Sequence, residues 1–234
     1  MNIPGFETTR IGVAEDVELT TAVGGTGSPV VLLHGFPQTH LMWRHVAPIL
    51  ARRHTVICPD LRGYGASSKP VATGPDVYSK RTMAADITGL ADALGVGRFA
   101  VVGHDRGAHV AFRAALDHPH RIDRLGILDI VPTLDTWNVL HGVDAAVAFH
   151  LYLMAQPPGL PEQMIAASAD AFFGHFLDIW SNTPARFRRR CAPNTSGPAA
   201  TPSRRSSPTT ARPPRSTSTT TAPTWPPAVT SPCR

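Results

Sequence analysis

The chain has 234 residues, 22 Lys and Arg against 17 Asp and Glu, and 42% hydrophobic residues. That length supports one α/β domain with its own core, no apolar run reaches the roughly 18 residues of a membrane span, and three cysteines (Cys58, Cys191, Cys233) make neither a disulfide framework nor a C-x-x-C site. The formal charge of +5 is uneven: nine Arg and no Asp, Glu or Lys lie in residues 186–234, leaving 13 basic against 17 acidic residues before them, so the body is mildly acidic and the tail alone makes the chain basic.

The opening Met1-Asn2-Ile3-Pro4-Gly5 lacks the basic-then-apolar pattern of a signal peptide, and a cytoplasmic location is expected. Residues 6–13 and 17–23 read as a hairpin. Val30-Val31-Leu32-Leu33 is a short continuous apolar run, the mark of a strand buried on both faces, and it ends at His34-Gly35-Phe36-Pro37. A helix is expected over 41–51, then a second buried strand over 54–58, with Cys58 a small core residue. The stretch Asp60-Leu61-Arg62-Gly63-Tyr64-Gly65 is a loop. Met83, Ile87, Leu90 and Leu94 fall on one face of a helix over 78–94.

Residues 99–102 form the next apolar strand, which breaks into Gly103-His104-Asp105-Arg106-Gly107 and enters a helix over 106–116. This is the nucleophile-elbow pattern G-x-Nuc-x-G with aspartate as the nucleophile. A carboxylate attacks carbon by displacement and leaves an ester on the enzyme, chemistry suited to carbon–halogen and epoxide C–O bonds. A strand over 124–130 follows. The alternation predicts an α/β fold with a mostly parallel, doubly wound sheet, its site at the carboxyl ends of the strands. After Pro132 two helices are expected, over 137–155 and 161–180, separated by Pro157-Pro158, in the place of a helical lid.

Three regions result: residues 1–134 as the N-terminal part of the core, 135–185 as the beginning of the lid, and 186–234 as a low-complexity tail. In the tail 42 of 49 residues are Arg, Pro, Ser, Thr or Ala, a composition that cannot bury enough surface to fold. A shifted reading frame is a further reading. Back-translated with free third bases, Pro214 to Thr230 can encode, in another frame, a string with ordinary globular charge and apolar content.

Together these motifs carry a resemblance. His34-Gly35-Phe36-Pro37-Gln38 with Met42-Trp43, Asp60 to Gly65, Gly103 to Gly107, Ala115-Leu116-Asp117-His118-Pro119, Leu128-Asp129-Ile130 and Ala155-Gln156-Pro157 resemble the fluoroacetate (haloacetate) dehalogenases of the α/β-hydrolase superfamily, over residues 1–185. Epoxide hydrolases and haloalkane dehalogenases share the elbow but usually carry Trp where this chain has Arg106.

The resemblance implies an α/β-hydrolase fold with a helical lid, no cofactor and no metal. It also implies a small-molecule substrate, a halogenated short carboxylic acid, and leaves a homodimer open for the intact family member. Neither nucleic acid nor membrane is expected as a partner. Asp105 would attack the halogen-bearing carbon. Arg106 would fork onto the substrate carboxylate. The amides of Phe36 and Arg106 would form the anion hole. Asp129 would orient a catalytic histidine that activates water; alone it reads as a strand-end turn carboxylate. His150 would help to bind the departing halide, and a core histidine on an apolar helix face is its other reading. His34 reads as a structural histidine holding its loop, Asp60 and Arg62 as loop braces, and Pro37 as the site of a cis peptide.

The sequence departs from the family at three places. His109 replaces the second carboxylate-binding Arg, Leu151 replaces the lid Trp, and no histidine follows His175. The expectation is therefore a chain truncated before the last strands, with an exposed apolar sheet edge, that forms the ester once and does not turn over. An epoxide hydrolase or other α/β hydrolase, and a non-catalytic binding protein with a basic tail, are the alternatives.

Overall fold

A computed structural model describes residues 2–71, 74 and 76–181; the expected tail lies outside them. Among the described residues six strands form one sheet: β1 (Glu7–Ala14), β2 (Val17–Gly24), β3 (Ser28–Leu33), β4 (His54–Pro59), β5 (Phe99–His104) and β6 (Ile122–Leu128). Their order is β1-β2-β4-β3-β5-β6. The hairpin sets Ile11 opposite Leu19 and joins the sheet through β2, antiparallel to β4. The centre is parallel, with β3 between β4 and β5, and β6 beside β5. This is the expected α/β architecture, in which apolar runs become strands covered on both faces.

Two layers of side chains close the sheet. On one face α2 (Lys80–Ala93) and α3 (Arg106–Asp117) bury Met83, Ile87, Leu90, Val110, Ala111 and Ala114 against Leu33, Ile57 and Val101. On the other, Trp43 and Ala47 pack on Val30, Leu32, Val56 and Cys58. Cys58 is fully buried, and burial pushes its thiol up to about 12. Ser79 caps α2 by accepting from the Thr82 N–H at 3.1 Å.

The helix expected over 41–51 is instead a 3-10 stretch, His40–His45, followed by α1 (Ala47–Leu50). Pro48 is the reason: it lacks an N–H, cannot continue a preceding ladder, and suits a first helical turn. The last strand also ends earlier than expected, because Asp129 turns to φ +59°. Past it, the expected helix over 137–155 is divided into α4 (Thr133–Val139), a 3-10 stretch at Gly142–Ala148 and α5 (Phe149–Met154), with Gly142 at φ +65° in the break. The helix expected over 161–180 becomes α6 (Leu160–Ala167) and α7 (Ala169–Trp180), divided at Ser168, whose φ of −147° and ψ of 40° leave the helical region. Among the described residues β6 is an edge strand, and Leu125, Ile127 and Leu128 are exposed.

The loop after β4 is tied to both layers. Asp60 accepts from the His40 N–H at 2.8 Å, from His40 Nδ1 at 2.7 Å and from the Ala66 N–H at 3.2 Å. Arg62 forks onto Asp86 of α2, with Nε at 2.7 Å from Oδ2 and Nη2 at 2.5 Å from Oδ1. Both pairs are buried, so the bracing role read from the sequence is theirs. Burial drives the Asp86 carboxyl up, against the pull of Arg62. Arg62→Leu leaves that carboxyl buried without its partner and is expected to lower stability by about 3 kcal/mol. A urea midpoint equal to that of the unaltered chain would remove the brace from the account.

Candidate active site

The site is built around a turn that leaves no room for side chains on its neighbours. Asp105 sits between β5 and α3 at φ 48°, ψ −115°, a conformation rare for a residue with a Cβ. A Cβ on Gly103 would lie 2.3 Å from the Gly107 carbonyl oxygen. One on Gly107 would lie 2.5 Å from the carbonyl oxygens of Leu33 and His34. A Cβ on Gly35 would lie 2.7 Å from the Asp105 Cβ. The 34–37 loop is thus pressed against the elbow, and the Phe36 N–H donates to Asp105 Oδ2 at 2.8 Å. The Phe36–Pro37 peptide is cis, as expected.

His34 holds that loop from beneath. It is fully buried; its Nε2 accepts from the Leu61 N–H at 2.9 Å, which puts the proton on Nδ1, 2.9 Å from the Gly35 carbonyl. Burial lowers its pKa, so the ring is neutral. This is the structural role the sequence suggested.

Arg106 opens α3 and is buried, with its guanidinium carbon 6.0 Å from the Phe36 ring centroid. Burial pulls its pKa below the usual value, and the nearby Asp105 charge opposes that. Tyr64 itself is pushed up to about 12 by burial, so its phenol stays neutral. One turn along α3, half-buried His109 has its Nδ1 3.4 Å from the Thr133 hydroxyl. Burial, with the nearby charge of Lys80, lowers His109 to about 4.

His150, on α5, forms the roof with α7. Its ring stacks on Phe36 at 6.1 Å and meets Phe176 at 4.7 Å and Trp180 at 5.2 Å. Burial lowers it to about 4. Its Nδ1 is buried with no hydrogen-bond partner among the described residues. Phe36, Met154, Ile165, Phe173 and Phe176 form one apolar cluster beneath it. Phe36, Asp105, Arg106, His109 and His150 are therefore gathered around one place.

Asp129 stands apart from that group. It is exposed, and its Oδ2 lies 3.5 Å from Nε2 of His104. The imidazole beside it is thus the residue preceding Asp105. Three contributors to the neighbourhood were not singled out from the sequence. His104 lay inside the elbow motif, and Tyr64 inside the 60–65 loop. Lys80 opens a helix, where a lysine ordinarily reads as solvated, and gave no signal. Among the described residues no group of three or more His, Cys, Asp or Glu is gathered to hold a metal, and no helix is long and apolar enough to cross a membrane.

Comparison with known proteins gives a consistent picture. A sequence model described as alpha/beta hydrolase fold matches residues 28–224. The fluoroacetate dehalogenase of Burkholderia sp is 46% identical over 183 residues, 77% of this chain and 60% of that protein. The soluble epoxide hydrolase of Corynebacterium sp. (strain C12) is 40% identical over 154 residues, 65% of this chain and 52% of that one. A solved structure from Pseudomonas aeruginosa, provisionally named an epoxide hydrolase, superposes with a TM-score of 0.72 at 42% identity, covering 81% of this chain and 65% of the other. The chain spans 52% to 65% of the length of these three relatives.

The packing at the elbow makes a direct prediction. Gly107→Ala forces a methyl group into two backbone carbonyls and is expected to cost about 2 kcal/mol or more. Gly97→Ala, at an exposed position with nothing within 4 Å, should stay within about 0.5 kcal/mol. Chemical unfolding of both variants measures the difference, and equal midpoints would show that the elbow tolerates a Cβ.

Proposed function

The chain belongs to the α/β-hydrolase-fold family, and from that premise we propose that Asp105 is the nucleophile of a displacement on a short 2-haloacid. A carboxylate oxygen bonds to the halogen-bearing carbon, the carbon–halogen bond breaks, halide leaves with the electron pair, and an aspartyl ester remains. The single observation that supports this most is the placement of Asp105 on the elbow, hydrogen-bonded to the Phe36 N–H and beside buried Arg106. Arg106 is assigned to the substrate carboxylate, where a planar fork matches a planar anion. His150, neutral and facing Phe36, is assigned to the departing halide. Helices α4 to α7 act as the lid.

In the second half-reaction water adds to the ester carbonyl, giving up a proton and carrying charge onto an oxygen of Asp105; the adduct then collapses, the bond from the carbonyl carbon to the substrate oxygen breaks, and the 2-hydroxyacid leaves with that proton. The Phe36 N–H already donates to an oxygen of that carboxyl, so it is assigned to the oxyanion as well. In the whole protein a histidine held by Asp129 would activate the water, with Asp129 acting as a positioning residue. Epoxide opening is the second reading, supported by the epoxide hydrolases among the relatives and by Leu151 after the lid histidine.

Incubation of the purified chain with chloroacetate or fluoroacetate, followed by mass spectrometry of the Asp105 peptide, tests the reading. One carboxymethyl group on Asp105 is expected, and none in Asp105→Asn. Labelling of Asp105 by a neutral epoxide, with none from any haloacetate, would overturn it in favour of the second reading.

A further inference from the structure

Three imidazoles around the elbow are unsuited to act as a base. His34 has its proton on Nδ1, and its Nε2 is taken by the Leu61 N–H. His109 and His150 are lowered to about 4 by burial and are too weakly basic to take a proton from water near neutral pH. His104 differs from all three. It ends β5 and directly precedes Asp105. It pairs with Leu128 across β5 and β6, so the chain leaving β6 brings Asp129 beside it, with Oδ2 3.5 Å from His104 Nε2. The other ring nitrogen, Nδ1, is buried and has no hydrogen-bond partner among the described residues.

Gly35 locates that nitrogen relative to the carboxyl of Asp105. The point where a Cβ on Gly35 would sit is 2.9 Å from His104 Nδ1 and 2.9 Å from Asp105 Oδ2. The two atoms are therefore separated by no more than twice that distance, a span that a single water bridges. Asp129 sets the tautomer. In the neutral ring a proton on Nε2 faces the carboxylate, which leaves the lone pair on Nδ1, the nitrogen beside the elbow. An imidazolium formed by protonation of Nδ1 then faces a negative charge, as in a carboxylate–histidine pair that serves a nucleophile.

We propose that His104, oriented by Asp129, is the general base that activates water against the ester on Asp105. The assignment rests on the displacement reading of the site and deepens its second half-reaction. A water proton moves to Nδ1 as the water oxygen bonds to the carbonyl carbon of Asp105, and the charge on the carboxyl oxygen is met by the Phe36 N–H. The adduct collapses, the bond from that carbon to the substrate oxygen breaks, and Nδ1 returns the proton to the departing oxygen. Asp105 keeps one oxygen from water, and its acid proton passes to solvent. Asp129 is a positioning residue in this step.

The test follows the Asp105 peptide of the full chain by mass spectrometry after a pulse of chloroacetate in heavy-oxygen water. Two rates are read: appearance of the carboxymethyl ester, and its decay to a carboxylate that carries heavy oxygen. Both are expected in the unaltered chain. His104→Gln is expected to lower the ratio of decay to appearance at least about 100-fold, the size of a lost general base. Asp129→Asn, at an exposed position, is expected to lower it at least about tenfold. Damage to the fold alone slows appearance as well and leaves the ratio in place. An ester that persists in the unaltered chain, the single event expected from the sequence, overturns the assignment, and so does a ratio unchanged in either variant. Failure of the haloacid reading is separate: no carboxymethyl ester appears, and the ester left by a neutral epoxide serves for the same decay measurement. Absence of both esters overturns the assignment as well. Should His104→Gln not fold, Asp129→Asn decides alone.

Discussion

The structure depends on one close approach, that of the loop after β3 to the turn between β5 and α3. Gly35 and Gly107 are the points of contact and Gly103 tightens the turn itself; at each a Cβ would fall within 2.3 to 2.7 Å of another atom. Only at that spacing can the Phe36 N–H reach the carboxyl of Asp105. The left-handed backbone of Asp105 is costly for a residue with a Cβ, and packing on both sides over-determines it. The sheet supplies the reason the contact forms. Leu33 pairs with Gly103 in parallel register, so the two strands end side by side and release their loops at the same edge. His34 and Asp60 then hold the loop on the β4 side.

Much of this was legible in the chain because it is local. The strands before each loop are continuous apolar runs, and such runs have few other uses in a domain of this length. The two glycine-flanked motifs declare their geometry, since no other residue fits the contacts they make. Helix lengths were less legible. Pro48 divides what periodicity alone presents as one helix, and Gly142 and Ser168 divide the lid, because apolar spacing survives a break that the backbone does not.

The site was legible only where a motif carried it. Asp105, Arg106 and Phe36 belong to two short patterns and meet as expected. His150 comes to them from α5 because Phe36 offers it a flat apolar face. Lys80 had no pattern to mark it: its environment arises from α2 lying along α3, a tertiary fact. Asp129 shows the converse. The resemblance implied a role beside a histidine, its strand-end position alone only a turn carboxylate, and the histidine beside it is His104, the residue before Asp105.

Charge gives these pieces a common logic. An anionic nucleophile and an anionic substrate repel by about 3 kcal/mol at roughly 5 Å and an effective dielectric of 20. On the proposed reading the site brings the two together and needs fixed cations that remain charged when desolvated. His109 and His150 cannot serve, since burial keeps both neutral. A guanidinium serves well, because it resists deprotonation even where burial opposes its charge, and Arg106 is the buried guanidinium beside Asp105. In the proposed displacement the negative charge would leave Asp105 and move toward the halide. The Phe36 N–H then faces a neutral ester, and its pull on the oxygen becomes useful only when water adds and the charge returns. One backbone donor, fixed by a glycine that permits contact, can thus act at both ends of the ester's life without moving.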